Sequence, residues 1–313
     1  MKQPLNFGSA MPRPGISVCV CTYRRPVLLA RLLSSFDGLD LNGIDAELLI
    51  VDNAPDRSAE SVATCWRAST KWQSVRYCCE PKTGISFARN RACLEARGDW
   101  IAFIDDDEVV CPEWLSSLIR TATATCANAV FGPVRPQFPM DSAPWAVSGG
   151  VYDRPEHAEG QLISVNEART GNVLIQRIWL VGSQPFDPDF GLTGGEDFDF
   201  FKRMHAAGGV LRWSSAAVVY EWIPAERQHL SWLIQRSHSS ATLYWRQVRR
   251  EQGFRMAIVR AFAGAVATCL LAPLGFFLWP FRKLFAVRIW LLAAKCWARV
   301  AALGDIQPKR YGQ

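Results

Sequence analysis

Short apolar runs alternate with helix-period segments through the first part of the chain. Ile16-Ser17-Val18-Cys19-Val20-Cys21 reads as a strand, and Pro26 opens a helix carrying Val27-Leu28-Leu29-Ala30-Arg31-Leu32-Leu33. Leu48-Leu49-Ile50-Val51 is a buried strand stopped by Asp52-Asn53-Ala54-Pro55. Ser58 to Trp66 gives a second helix and Val75-Arg76-Tyr77-Cys78 a third strand. Ser86 is expected to cap the helix that runs to Ala96; Trp100 to Ile104 form a fourth strand, and Pro112 opens another helix. Strand and helix thus alternate four times within 125 residues, which predicts an α/β domain with a mainly parallel sheet. Such sheets bind ligands beyond the carboxyl ends of their strands, where Thr22, Asp52, Thr83 and Asp105 to Asp107 all fall.

From about 133 to 170 the pattern is irregular and rich in Pro, Gly and polar residues. Gly171-Asn172-Val173-Leu174-Ile175 then reads as a strand. Phe198 to Ala207 is a helix ended by Gly208-Gly209, and two returning strands follow at 210–213 and 216–220. Ala261 to Phe281 is 21 residues without a charge, which Pro273 and Pro280 are expected to interrupt. Leu284 to Ala302 is apolar with Arg288, Lys295 and Arg299 near helical intervals, the pattern of a basic amphipathic helix in an interface. A monotopic or re-entrant anchor is the preferred reading of this tail. The alternative is a helical hairpin packed on the α/β domain or buried in a homodimer.

At 313 residues, 49% hydrophobic and 20% charged, the chain can bury a full core and is no disordered segment. Its net charge of +6 gathers in the second half, interleaved with aromatic and apolar runs. That interleaving suits an anionic membrane surface and disfavours nucleic acid. None of the ten Cys has the CxxC spacing of a zinc site, and no secretory signal opens the chain, so free thiols in a reducing compartment are expected. Neither GxGxxG after the first strand nor GxxxxGK[ST] is present, which weakens dehydrogenase and nucleotide triphosphatase readings.

Two acidic groups carry the chemistry. Ile104-Asp105-Asp106-Asp107-Glu108 ends an apolar strand, and adjacent carboxylates there need a cation, donors or a proton. A divalent metal holding phosphate oxygens meets that need; an acidic solvated loop is the plainer alternative. Glu196-Asp197 follows Gly194-Gly195 at the start of a helix, where it reads either as a proton acceptor or as acids favoured by the helix dipole.

Taken in order, VCVCTYRRP at 18–26, LLIVDNAP at 48–55, GISFARNRA at 84–92, FIDDDE at 103–108, TGNVLI at 170–175 and TGGEDFDFFKR at 193–203 resemble glycosyltransferase family 2. The resemblance runs from about Ile16 to Leu243 and is nearest to bacterial exopolysaccharide enzymes of the succinoglycan glucosyltransferase type. It implies the GT-A nucleotide-sugar-binding fold, a mainly parallel mixed sheet, followed by C-terminal membrane-associated helices. By that resemblance Thr22, Tyr23 and Arg25 bound the nucleotide pocket with Asn53 and Gly84, and Asp52 reads the base. Arg89 lines the diphosphate region. Asp105 and Asp106 approach the ribose or metal, Asp107 with Asp105 holds Mg²⁺ or Mn²⁺, and Asp197, with Glu196 beside it, is the general base. Trp232-Leu233-Ile234-Gln235-Arg236 only partly echoes the QxxRW signature of processive members, which argues for one sugar per encounter.

The expected organisation is a flexible arm at 1–15, a catalytic domain at 16–245 with nucleotide-sugar (16–130) and acceptor (131–245) halves, and a helical tail at 246–313. The expected activity is inverting, metal-dependent transfer of a hexose, from UDP-glucose, onto a polyprenyl-diphosphate-linked oligosaccharide in exopolysaccharide biosynthesis, at the cytoplasmic face of a bacterial inner membrane. Direct glycosylation of polyprenyl phosphate is the nearest alternative, and a non-catalytic membrane scaffold the alternative of another class.

Overall fold

The computed structural model of the protein describes residues 15–304 except Ser183 and the side chain of Glu251. The arm expected at 1–15, apart from Gly15, and the last basic residues, Lys309 and Arg310, lie outside the described residues. The chain divides into two compact units, one holding the chain up to Arg135 together with Arg154–Trp222, the other holding Pro136–Asp153 and the chain from Ile223.

The first unit alternates as the apolar pattern predicts: β1 (Ile16–Thr22), α1 (Pro26–Phe36), β2 (Ala46–Asp52), α2 (Glu60–Arg67), β3 (Ser74–Cys79), α3 (Ile85–Glu95) and β4 (Trp100–Asp105). It continues through β5 (Glu108–Val110), α4 (Trp114–Thr125), β6 (Ala129–Phe131) and β7 (Val134–Gln137). The second unit then supplies α5 (Pro144–Ser148), and the first resumes with β8 (Asn172–Gln176), α6 (Glu196–Ala206), β9 (Leu211–Trp213) and β10 (Val219–Trp222). Three long helices complete the second unit: α7 (Leu230–Gln252), α8 (Phe254–Leu278) and α9 (Lys283–Ala301).

Seven strands form one sheet in the order β3-β2-β1-β4-β8-β6-β9, and β5-β10-β7 form a second. β1 runs parallel to both β2 and β4, and β2 parallel to β3. β8 runs antiparallel between β4 and β6, pairing Ile104 with Asn172. The sheet is therefore mixed but mostly parallel, the core of a GT-A-like fold.

Strand alternation divides the core between the two faces of the sheet. Val18, Val20, Leu48, Ile50 and Ile104 pack with Leu29, Leu32 and Trp114 from α1 and α4. Their neighbours Cys19, Leu49, Val51, Ile101 and Phe103 pack with Ala88 and Ala92 of α3 and with Phe200 and Phe201 of α6. Burial on both faces explains why these strands read as unbroken apolar runs.

Three local expectations are corrected. Gly84, at φ +144°, is the residue before α3, and Ser86 is buried inside the helix with no hydrogen-bond partner for its hydroxyl among the described residues. A glycine suffices because the loop enters at a backbone angle other residues avoid. The helix expected to open at Pro112 begins at Trp114. Pro273 does not break α8, which runs continuously from Phe254 to Leu278. Pro273 is exposed and removes one i→i−4 hydrogen bond, to Cys269, without ending the helix. α8 is the single helix among the described residues long and apolar enough to cross a membrane, a feature consistent with membrane association.

Candidate active site

The carboxyl ends of β1, β2 and β4 lie side by side, because Cys21 pairs with Asp105 and Thr22 with Asp52. The polar residues that end each strand thereby meet along one edge of the sheet.

Asp105 closes β4, and Asp106 and Asp107 make the turn into β5. Their side chains differ in exposure, at 45%, 5% and 9% respectively. Asp106 is turned inward: Thr22 Oγ1 donates to its Oδ2 at 2.7 Å and Arg25 Nη1 to its Oδ1 at 3.1 Å. Burial pushes its carboxyl up to about 7 in spite of Arg25. Arg25 Nη1 also lies 3.5 Å from Asp107 Oδ2. Asp105, the most open of the three, lies 3.6 Å from Arg89 Nη2.

Arg89 is buried on α3, and its other terminal nitrogen donates to Glu196 Oε1. Gly194 and Gly195, at φ +79° and +100°, bring Glu196 there by reversing the chain through the left-handed region at the start of α6. Glu196 is buried, its Oε2 has no partner among the described residues, and burial pushes its carboxyl up to about 7 against the pull of Arg89. Asp197, the next residue, is half-buried and accepts the Phe198 N–H. Arg89 thus joins the strand-end acids to the helix-start acids, and Asp197 is the more open of that second pair.

Asp52 and Asn53 brace loops, and Tyr23 lies beside Arg24, whose guanidinium sits 5.5 Å from its ring centroid. Asp52 is fully buried, and its two oxygens accept from Ala54 N–H, Ala59 N–H and the Tyr77 hydroxyl at 2.7–3.0 Å. Asn53 donates to the carbonyls of Glu80 and Lys82 and accepts the Gly84 N–H at 2.7 Å. These contacts hold the 53–59 and 80–84 loops in place at the strand ends. Asp52 therefore contributes loop shape, since its oxygens are already engaged within its own unit.

Four contributors had no assigned role in the sequence. Glu108 is buried behind Asp105 and accepts its N–H at 3.2 Å; its other oxygen has no partner among the described residues, and burial pushes its carboxyl well above the usual range. Gly171 leaves space beside both acids: a Cβ there would lie 2.9 Å from Asp105 Oδ2 and 3.0 Å from Glu108 Oε1. Arg154 pairs with Glu221 at 2.5 Å, and its charge reaches Asp105 and Glu108. Asn172 ties strand β8 to α4 and to two loops. The acidic run at 105–108 and the TGN run at 170–172 offered signals for Glu108, Gly171 and Asn172, but neither says which neighbours its residues would meet.

A buried cation, Arg89, thus lies between Asp105 and Glu196 at the carboxyl edge of the sheet, and comparison with known sequences gives the family of the chain. The sequence pattern of Glycosyl transferase family 2 matches residues 17–177, which contain β1 to β8 and all three tip acids.

The chain belongs to glycosyl transferase family 2.

It is a glycosyltransferase. ExoM, the succinoglycan biosynthesis protein of Rhizobium meliloti (strain 1021), is 36% identical over 255 residues, which cover 80% of this chain and 81% of that protein. Among solved structures, the mannosyltransferase PcManGT from Pyrobaculum calidifontis in complex with GDP-Man and Mn²⁺ aligns with a TM-score of 0.62 at 17% identity, covering 94% of this chain and 88% of that one. S. aureus TarS 1-349 in complex with UDP-GlcNAc aligns at 0.50 and 14% identity over 72% of this chain and 66% of that one. At such identities the two structures establish a shared GT-A-like fold.

Proposed function

We propose that the protein transfers one hexose from a nucleotide sugar, UDP-glucose, to a polyprenyl-diphosphate-linked oligosaccharide with inversion at the anomeric carbon. The process is exopolysaccharide biosynthesis, on the cytoplasmic face of a bacterial inner membrane, with residues 16–245 as the catalytic domain. The observation that carries this reading is Arg89, which pairs with Glu196 and lies 3.6 Å from Asp105, so that one side chain spans the nucleotide-side and acceptor-side acids. The relationship to ExoM supports the exopolysaccharide setting.

The residues fit a hard divalent ion. Their donor atoms are carboxylate oxygens, and the space kept by Gly171 lies against Asp105. Among the described residues no three His, Cys, Asp or Glu gather as a ready cage. Mg²⁺ and Mn²⁺ take one or two protein carboxylates and complete their shell with phosphate oxygens and water. Asp107 and Asp105 would hold the ion, which when bound offsets the charge that develops on the leaving diphosphate.

The protein's own groups do the rest. The loops braced by Asp52 and Asn53, together with Thr22, Tyr23, Arg25, Gly84 and Asp106, shape the nucleotide pocket, and the Arg89 guanidinium faces the diphosphate side. Asp197 accepts the proton of the acceptor hydroxyl as its oxygen attacks the anomeric carbon. The bond to the diphosphate breaks as the new one forms, and its electron pair leaves with the nucleotide.

The test offers purified full-length protein in detergent a panel of nucleotide sugars with Mn²⁺ or Mg²⁺, and reads nucleotide release. Release should need the ion. Asp107→Ala should abolish it with the fold intact, whereas Asp52→Ala should lower the unfolding temperature as well. Full activity in EDTA would remove the metal from this reading, and no turnover of any donor would favour a scaffold. Transfer to polyprenyl phosphate itself would favour the direct lipid-charging enzyme.

A further inference from the structure

The helices α8 and α9 meet through small residues. A Cβ on Gly264 would lie 2.4 Å from the Cys296 carbonyl oxygen, and one on Gly275 would lie 2.3 Å from Trp290 Nε1. Between these points Trp290 Nε1 donates to the Ala272 carbonyl at 3.2 Å, and Thr268 Oγ1 lies 3.3 Å from the Ala293 carbonyl. Such close backbone approach leaves no room for lipid between the helices.

Both ends of α9 are tied to other parts of the same unit. Near its start, Arg288 Nη2 donates to the Gly149 carbonyl, just after α5, at 3.1 Å. Just beyond its end, the Leu303 carbonyl accepts from Arg249 of α7 at 2.6 Å. The outer face of α8 carries Phe262, Val266, Leu270 and Phe277, all exposed and uncharged. From 254 to 304 every charge has one sign, Arg255, Arg260, Arg282, Lys283, Arg288, Lys295 and Arg299, with no acid; of these Arg255, Arg282, Lys283, Arg288 and Lys295 are exposed, while Arg260 and Arg299 lie over Trp245.

We propose that α8 lies in the plane of an anionic bilayer surface as the lipid-facing side of this hairpin, and does not cross the bilayer. Length and composition alone would let α8 cross. Crossing, however, would draw α9 along through the Gly264 and Gly275 contacts. Lys295 follows Ala293 by two residues, and Ala293 lies beside Thr268 near the middle of the uncharged run, so its ammonium would reach hydrocarbon depth. It would also pull Arg288 from Gly149 or carry α5 into lipid. Lying in the plane keeps every contact, sinks the apolar face and leaves the cations level with phosphate head groups. The expected interfacial helix is thus α9 by charge, but α8 by apolar contact.

This inference rests on the membrane association proposed above, and the experiment separates the two. Full-length protein is reconstituted on vesicles of phosphatidylcholine with or without phosphatidylglycerol. A membrane-impermeant maleimide is added outside to the Lys283→Cys variant, with exposed Cys65 of the first unit as the reference for sidedness. Peptide mass mapping should find position 283 labelled to the same extent as Cys65 in intact vesicles. Vesicle binding should rise at least about tenfold with phosphatidylglycerol, and Lys295→Glu should weaken it by about fivefold or more, the scale of one surface cation. Label at 283 that appears only after detergent opens the vesicles overturns the in-plane helix, as does binding indifferent to phosphatidylglycerol. Protein that stays monodisperse and unbound without detergent overturns membrane association itself.

Discussion

Trp114 and Asn172 stand far apart in the chain, yet the indole Nε1–H of the first donates to the amide oxygen of the second at 2.8 Å in the core. The same amide donates to the carbonyls of Pro133 at 3.0 Å and Ala217 at 2.8 Å. One side chain therefore fastens β8 to α4 and to the loops that lead into β7 and β10. Asn172→Leu should leave the Trp114 indole and the Ala217 carbonyl without these partners, at about 1–3 kcal/mol each, whereas the Pro133 carbonyl still accepts the Val219 N–H at 3.0 Å. The apparent unfolding temperature, followed by Trp fluorescence in detergent, should fall by roughly 5–10 °C. A change within 2 °C, on the order of measurement error on that scale, would mean that water reaches these groups.

Gly171→Ala tests the space beside the tip. The added methyl would press on Asp105 and Glu108, whose carboxyl groups must shift. The protein should fold and melt near the wild-type temperature, while turnover falls by about 10²-fold, the scale of a misplacement near 1 Å. Unchanged turnover would show that Asp105 tolerates displacement.

Asp197 and Glu196 should separate by phenotype. Asp197→Asn should bind nucleotide within a few-fold of wild type but lower transfer by about 10²–10⁴, the scale of a lost general base. Glu196→Gln weakens the buried partner of Arg89, so it should lower thermal stability along with activity. Calorimetric binding beside turnover reads both. Equal loss of binding and transfer in Asp197→Asn would make Asp197 a structural carboxylate.

The thiols give a pH dependence. Burial pushes Cys19 and Cys93 upward and Cys21 up to about 12, from an ordinary value of 9.0. Above pH 9 the unfolded chain therefore releases these protons while the folded chain retains them, so their contribution to stability falls as pH rises from about 9 towards 12. At neutral pH, iodoacetamide should modify exposed Cys65 and Cys126 first and spare Cys19 and Cys93. Rapid modification of Cys93 in folded protein would show that the α3 face of the sheet opens.

Much of the edge that carries the site was legible because its residues end apolar runs. Thr22, Asp52 and Asp105 each mark the point where a buried strand becomes polar, and parallel pairing aligns those points. Direction was not legible in β8: Val173-Leu174-Ile175 is as apolar as its neighbours and would read the same in either orientation. Nor was the inward turn of Asp106, since three like residues in a row differ only in where the backbone aims them. The family resemblance gives Asp52 the nucleotide base; what the sequence does not show is that three short contacts within its own unit engage its carboxylate. Pro273 misled because the loss of one intrahelical hydrogen bond does not end a helix whose flanking turns continue it and whose other face packs on α9.

The antiparallel placement of β8 also orders events during synthesis. Asp106 finds Thr22 and Arg25 among residues already made when the ribosome reaches it. Asp105 and Glu108 must wait for Gly171 and Arg154, and Arg89 must wait for Glu196. A nascent chain that has emerged only through α4 holds three of the sheet's parallel strand pairings but cannot yet pair Arg89 with Glu196 or complete the proposed site. At about 5–20 residues per second, several seconds separate the folding of that scaffold from the first moment a donor could be held. Translation thus gives the protein a built-in delay between becoming foldable and becoming reactive.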